Sequence, residues 1–64
     1  MARINGEEIN ANGAIITDFL AETGYSPERV AVMINGEILP KTKYSTTKIA
    51  ENDEVEIVGF VGGG

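Results

Sequence analysis

Two stretches of the chain place apolar residues on both sides of an Asn-Gly pair, a pattern typical of a β-hairpin. The tetrapeptide INGE occurs at 4–7 and again at 34–37. Asn-Gly supplies the two positive-φ positions of a type I′ turn, so each copy predicts a tight hairpin. The predicted pairings are 3–4 with 8–10 in the first hairpin, and Val30–Ile34 with 38–39 in the second.

The strand predicted at Val30–Ile34 is apolar on both faces. Val30, Val32 and Ile34 point to one side, and Ala31 and Met33 point to the other. Such a strand belongs in the interior of a sheet, or has its second face covered by another element.

Between the hairpins the apolar residues follow a helical period. Ile16, Phe19, Leu20 and Thr23 are spaced i, i+3, i+4 and i+7, which predicts one helix with this stripe against a sheet. Gly24 is suited to the left-handed position that ends a helix. No residue at the start of the helix is a clear side-chain cap.

The polar segment 40–53 predicts a loop with little regular structure, in which Tyr44 and Ile49 are expected to be buried anchors. A turn is expected at 52–53. The following stretch EVEIV alternates between polar and apolar residues, which predicts a strand with Val55 and Ile57 inward and Glu54 and Glu56 outward.

The predicted order is hairpin, helix, hairpin, loop and strand. It indicates a single two-layer α+β domain over 1–64, with four or five strands packed on one helix. We expect the last strand to lie beside the first and parallel to it, which would close one mixed sheet over the helix.

Composition narrows the possible chemistry. The 64 residues include no cysteine and no histidine, which excludes disulfides and the usual zinc ligand sets. The commonest catalytic base and the commonest thiol nucleophile are therefore absent as well. We interpret the acids Glu51, Asp53, Glu54 and Glu56 as a solvated face, not a cation site. The sequence predicts neither an enzyme nor a metal protein.

Charge and hydropathy narrow the possible partners. Ten acidic and five basic residues give a net charge of −5, which disfavours binding to nucleic acid. No apolar run approaches the roughly 18 residues that span a bilayer, so no membrane association is expected. The first residues, MARINGEE, contain no apolar core of a signal peptide, and we therefore expect a cytoplasmic location.

The final stretch, GFVGGG at 59–64, follows directly on a predicted strand. By alternation, Val58 and Phe60 share the outward face of that strand. With Val61 they form an exposed apolar group, which favours a partner-binding surface. We expect 60–64 to form a flexible C-terminal tail, because consecutive glycines lose much backbone entropy on ordering.

The three terminal glycines indicate a reactive tail. Gly62 and Gly63 have no side chains, so the chain can enter a narrow channel in another protein. A terminal carboxylate on Gly64 would be ionised at neutral pH and would be a poor electrophile. It would need activation, such as a mixed anhydride with a nucleotide, before a nucleophile could attack it.

Several stretches together resemble one known family, the sulfur-carrier proteins of thiamin biosynthesis, ThiS. They are INGEE at 4–8, FLAETGYSPERVAVMINGEILP at 19–40, Tyr44, and ENDEVEIVGFVGGG at 51–64. The resemblance covers essentially the whole chain. Its most specific parts are Asn-Gly-Glu at 35–37 with Pro40, and EIVGFVGG at 56–63.

The resemblance implies a ubiquitin-like β-grasp fold and a role as a protein co-substrate. It implies that an E1-like adenylating enzyme uses ATP to activate the carboxylate of Gly64. Sulfur mobilised from cysteine, for example by a cysteine desulfurase, then gives a thiocarboxylate that is donated to thiazole synthase. Gly63 matches the penultimate glycine of the family, and Val58 and Phe60 match apolar positions at partner interfaces. No bound cofactor is implied.

One departure from the family concerns the helix start, where Ile15 replaces a Thr-like cap and should weaken that end slightly. Three alternative functions remain open. The chain could be the small sulfur-carrier subunit of molybdopterin synthase, or a ubiquitin-like tag that is conjugated to lysines. It could also be a plain β-grasp protein-binding module with an incidental tail, whose function would not depend on its terminus.

Overall fold

The computed structural model describes residues 1–59. The expected flexible tail at 60–64 lies outside the described residues, together with the site residues predicted there. The elements in chain order are β1 (Ala2–Ile4), β2 (Glu7–Ile9), α1 (Ile16–Thr23), a 3₁₀ turn at Pro27–Arg29, β3 (Val30–Ile34), β4 (Glu37–Ile38), a 3₁₀ turn at Lys41–Lys43, and β5 (Glu54–Gly59).

The five strands form one mixed sheet in the order β2-β1-β5-β3-β4. β5 is central, parallel to β1 and antiparallel to β3, whereas both hairpins are antiparallel. The two predicted hairpins are confirmed, although their returning strands begin one residue earlier than predicted, at Glu7 and Glu37. The interior position of β3 and the parallel placement of the last strand beside the first are also confirmed. The two-layer α+β class is confirmed as well.

Both INGE turns have the backbone that the sequence predicted. Asn5 and Gly6 have φ of 51° and 86°, and Asn35 and Gly36 have φ of 52° and 85°. A type I′ turn requires positive φ at both central residues, and asparagine and glycine accept such values at the least cost. Each hairpin therefore has a connection whose twist matches that of its strands.

The core lies between α1 and one face of the sheet. Ile16, Phe19 and Leu20 of α1 are buried. They belong to one cluster with the inward-facing sheet residues Ala2, Ile4, Val30, Val32, Val55 and Ile57. The predicted inward positions of β5 are thus confirmed. The prediction for Thr23 is wrong: this residue is exposed, and its hydroxyl donates to the carbonyl of Phe19 at 2.9 Å.

The start of α1 has no side-chain cap, since Ile15 makes no capping hydrogen bond. The loop supplies the missing acceptors instead. The amide of Ile16 donates to the carbonyl of Thr47 at 3.0 Å, and that of Thr17 donates to the carbonyl of Tyr44 at 3.2 Å. Because these amides have no partner within the helix, the loop carbonyls offset the weakening that the sequence predicted.

The two predicted anchors of the 40–53 loop are confirmed. Tyr44 and Ile49 are 2% and 1% exposed. The Tyr44 hydroxyl accepts the backbone N–H of Val32 at 3.1 Å, and the backbone of Ile49 bonds to Gly13 and Ala14. A loop that is polar in sequence is thereby attached both to the sheet and to the segment that leads into α1.

A small polar cluster lies where the loop meets the start of the chain. The N-terminal ammonium of Met1 and the side-chain amide of Asn12 both donate to the carboxylate of Glu51. The hydrogen bond from the ammonium, the one from Asn12 and the charge of the ammonium hold the pKa of Glu51 below its usual value.

Replacing Tyr44 by Phe tests the bond between the loop and β3. The substitution Tyr44→Phe should cost about 1–3 kcal/mol of unfolding free energy, because it leaves the buried amide of Val32 without an acceptor. Urea denaturation followed by circular dichroism measures this loss.

Tyr25→Phe is the matched control, since Tyr25 is 38% exposed. It should change stability by less than about 0.5 kcal/mol. If both variants lost the same amount of unfolding free energy, the hydrogen bond of the Tyr44 hydroxyl would not stabilise the fold.

Candidate functional site

The second face of the sheet carries an exposed apolar patch. Val58 of β5 pairs with Ala31 of β3, and Met33 of β3 pairs with Ile38 of β4. Cross-strand partners share a face, so these four residues lie together on the side away from α1. We call them the apolar patch. No helix among residues 1–59 covers this face.

The apolar patch is partly exposed to solvent. Ile38 is 73% exposed and Val58 is 51% exposed, while Ala31 and Met33 are half-buried. Scattered exposed apolar residues are common on protein surfaces, but neighbouring ones on a flat sheet favour a protein-binding surface.

Next to the patch, the same face carries a strip of acidic residues. Glu54 and Glu56 of β5 are exposed, and Arg3 pairs with Glu54 across β1 and β5 and with Glu8 across β1 and β2. The Arg3 guanidinium lies 3.5 Å from the Glu54 carboxylate and 4.0 Å from that of Glu8. We call Glu8, Glu54 and Glu56 the acidic strip.

The ion pairs within the acidic strip contribute little to the stability of the fold. Exposed ion pairs such as those of Arg3 contribute little to folding. One guanidinium faces three carboxylates, so this half of the face stays negative. A complementary partner would place an apolar area over the patch and basic side chains beside the strip.

Asp53 departs from the predicted solvated acidic face, because it is half-buried. Its carboxylate accepts the side-chain amide of Asn35 at 3.0 Å and the backbone N–H of Ala50 at 2.8 Å. It therefore stabilises the turn before β5. Residues 1–59 contain no group of three acids that could hold a metal ion, and no helix in that range is long and apolar enough to cross a bilayer.

Among the predicted site residues, Val58 is the one that the structure describes. Its outward orientation is confirmed, and its role in partner binding stays a prediction. Phe60 and Val61, the other two residues of the predicted partner surface, lie outside the described residues. So do Gly62, Gly63 and Gly64, the predicted reactive tail.

The sequence does not identify the other members of the apolar patch as a group. It predicts Ala31 and Met33 as an apolar second face of β3, and Ile38 as part of a hairpin. The missing signal was the register of β3 and β4, which places Ile38 opposite Met33. The patch and the tail are continuous along the chain, since Val58 stands two residues before Phe60.

Comparison with known proteins gives a family match over the whole chain. The ThiS family model matches residues 1–64. A sulfur carrier protein ThiS of Bacillus subtilis is 35% identical to this chain, and the alignment covers all of both proteins. A thiazole synthase of Paramagnetospirillum magneticum is 42% identical over 62 residues. That match covers 95% of this chain and 19% of the synthase, so the chain spans about a fifth of that relative's length.

A solved structure gives the same fold. The crystal structure of the thiamine biosynthesis protein ThiS from Geobacter metallireducens superposes with a TM-score of 0.78 at 30% identity. The superposition covers 98% of this chain and 97% of that one. The five-stranded sheet with one helix is therefore that of a ubiquitin-like β-grasp domain.

The exposure of the apolar patch predicts that its residues do not stabilise the fold. Val58→Thr and Ile38→Thr keep a β-branched side chain, so each should change the unfolding free energy by less than about 0.5 kcal/mol. The buried control Val32→Thr should cost about 1–3 kcal/mol, because it places a hydroxyl in the core.

Urea denaturation of the three variants measures these differences. A loss at Val58 or Ile38 as large as that at Val32 would mean that the patch is part of the core and is not available to a partner.

Proposed function

Since the chain belongs to the ThiS family of sulfur carriers in thiamin biosynthesis, we propose that it carries sulfur as a thiocarboxylate on Gly64. The match of its whole length to the family, together with the three glycines at 62–64, carries this proposal. The chain is a protein substrate and not a catalyst, so the chemistry takes place in the active sites of its partners.

The proposed activation consumes ATP in an E1-like adenylating enzyme. A carboxylate oxygen of Gly64 attacks the α-phosphorus of ATP, and pyrophosphate leaves. Hydrosulfide then attacks the glycyl carbonyl and loses its proton, and AMP leaves with the carboxylate oxygen. Where the cysteine-derived donor is a persulfide, a thiol reduces it to hydrosulfide and forms a disulfide. The product is a thiocarboxylate, and the oxidation state of the carbonyl carbon is unchanged. Because this route uses ATP, we place the protein in the cytoplasm.

Thiazole synthase is the proposed acceptor of the sulfur. Support comes from the relatives in which a stretch similar to this chain is part of a thiazole synthase. A carrier joined to its acceptor in one polypeptide indicates that the two act on each other. The thiocarboxylate sulfur would then be transferred to the thiazole under construction.

The apolar patch and the acidic strip are the proposed docking surface for these partners. The patch offers the desolvated centre and the strip offers a charged rim, as is typical of protein interfaces. Val58 precedes the tail by two residues in the sequence, so a partner that binds the patch holds the chain directly before the tail. In this arrangement the folded domain supplies the binding affinity, and the glycines give the terminal carboxylate access to the partner's active site.

The carrier proposal predicts strict dependence on the last residue. Deleting Gly64, or adding one residue after it, should abolish thiocarboxylate formation, because the activated acyl group is then missing or misplaced. The unfolding transition should stay unchanged, since the residues of the core cluster lie between Ala2 and Ile57. Intact mass after incubation with the activating enzyme, ATP and sodium sulfide measures the replacement of oxygen by sulfur.

The unmodified chain is the positive control in this assay. If the lengthened or shortened chains still acquired sulfur, the terminal glycine would not be the carrier site. Conjugates of higher mass in place of the thiocarboxylate would instead identify a protein-modifying tag.

The docking surface predicts a separate kinetic effect. The double variant Val58→Thr/Ile38→Thr should raise the KM of the activating enzyme for this chain about tenfold, since two apolar contacts at an interface are lost. The kcat should stay unchanged, because the tail chemistry is intact. Pyrophosphate exchange at varied carrier concentration gives both constants.

Tyr25→Thr is the control for this prediction. Tyr25 is exposed and lies on the helix side with Phe19 and Thr23, away from the patch. It should leave KM unchanged. A similar rise in KM for Tyr25→Thr, or no rise for the double variant, would place the docking surface elsewhere.

A further inference from the structure

The two INGE turns hold the central strand β5 in the same way. At the second turn, the Asn35 amide donates to the carbonyl of Glu54 at 2.7 Å, and the Glu54 amide donates to the side-chain Oδ1 of Asn35 at 2.9 Å. At the first turn, the Asn5 amide donates to the carbonyl of Val55 at 2.8 Å, and the Ile57 amide donates to Oδ1 of Asn5 at 2.8 Å.

In both turns the asparagine side chain takes the place of a strand carbonyl. Each asparagine has a left-handed backbone, with φ of 51° or 52°, so its own carbonyl no longer follows the line of the strand. The carboxamide oxygen accepts the β5 amide that a continuing strand would have paired. Asparagine suits both tasks, because it tolerates left-handed φ and carries a short acceptor.

The two asparagine side chains bond to different positions along β5. Asn35 bonds to Glu54, the first residue of the strand. Asn5 bonds to Ile57, two residues before Gly59. β1 ends at Ile4, so Asn5 makes the last contact with β5 on the β1 side among residues 1–59.

Beyond Asn5, no residue within 1–59 is hydrogen-bonded to the β1 side of β5. Antiparallel ladders alternate between bonded and non-bonded pairs. Asn35 bonds to Glu54, and Val32 directs its backbone towards β4 and Tyr44, so Val58 and Glu56 bond to β3. The backbone groups of Ile57 and Gly59 consequently face the β1 side, where the Asn5 side chain is the closing partner.

We propose that Asn5 is a positioning residue, whose carboxamide fixes the direction in which β5 presents the glycine tail to a partner's active site. This inference rests on the proposed function. Without the bond, Ile57 to Gly59 would be held by β3 alone and would sample more orientations. Fewer encounters would then place the Gly64 carboxylate in line with the activating nucleotide, although docking through the apolar patch would be unaffected.

The duplicated turn provides a matched control. Asn5→Gly and Asn35→Gly both keep a residue that accepts positive φ, and both remove the side-chain acceptor. Asn35 also donates to Asp53, so its replacement removes one hydrogen bond more. If lost stability were the cause of an effect on the tail, Asn35→Gly would be the more severe variant.

The experiment measures pyrophosphate exchange by the activating enzyme with the full chain as substrate. Asn5→Gly should lower kcat about tenfold, with KM within about twofold of the unmodified chain. Asn35→Gly should leave both constants within about twofold. Asn5→Asp keeps an oxygen acceptor and tolerance of left-handed φ, and it should restore kcat.

A measurement without the enzyme separates positioning from folding. Backbone ¹⁵N order parameters at Val58 and Gly59 should fall in Asn5→Gly and stay unchanged in Asn35→Gly, because only the first variant frees that end of β5. Asn5→Asp should keep the order parameters of the unmodified chain.

Equal losses of kcat in Asn5→Gly and Asn35→Gly would overturn the inference and leave the proposed function standing. Unchanged kcat in Asn5→Gly, or no restoration by Asn5→Asp, would overturn it in the same way. An unmodified chain that supports no exchange at all would overturn the proposed function, and this inference with it.

Discussion

The pairing of β5 with strands on both of its sides is the interaction on which the rest of the molecule depends. β5 comes from the end of the described chain, yet it occupies the centre of the sheet, antiparallel to β3 and parallel to β1. The sheet is therefore complete only when both hairpins have formed and the last segment has entered between them. In a domain without cysteines, this long-range closure replaces the covalent cross-links on which many small domains rely.

The same strand pairing determines which residues of β5 are buried in the core and which are exposed. One face of β5 sends Val55 and Ile57 into the core, and the other presents Val58 among apolar neighbours and two glutamates beside them. A single strand thus belongs to the core, to the candidate docking surface and, along the chain, to the approach to the glycines. Tyr44 supports this arrangement. Its hydroxyl accepts the backbone N–H of Val32 in β3, and its carbonyl accepts the amide of Thr17 at the start of α1.

Features that depend on local periodicity could be predicted from the sequence. The turns at Asn5 and Asn35, the helix and the alternation in β5 all follow from spacing within a few residues. Thr23 was misassigned because its spacing is that of a core residue, while its hydroxyl is satisfied by a helix carbonyl and needs no burial. The family resemblance added the function, which spacing alone could not supply.

Apart from the parallel placement of the last strand beside the first, the features that depend on distant pairing could not be predicted. Ile38 and Val58 belong to one patch only because β5 pairs with β3 and places Val58 on the same face as the second hairpin. The bond between Asn5 and Ile57 joins residues 52 positions apart, and the loop carbonyls that cap α1 come from a segment that looked irregular. In each case a polar or exposed residue obtained its role from a neighbour that no local pattern identifies.

The parallel alignment of β1 and β5 has a practical consequence for experiments on this domain. Arg3 lies opposite Glu54, so the beginning of the chain stands beside the first residue of β5, and Gly59 stands at the opposite margin of the sheet. Five residue steps of strand separate them, or roughly 17 Å at about 3.3 Å per residue. A reporter dye or a surface linker attached before Met1 would therefore lie beside the start of β5, at the end of the strand opposite to Gly59.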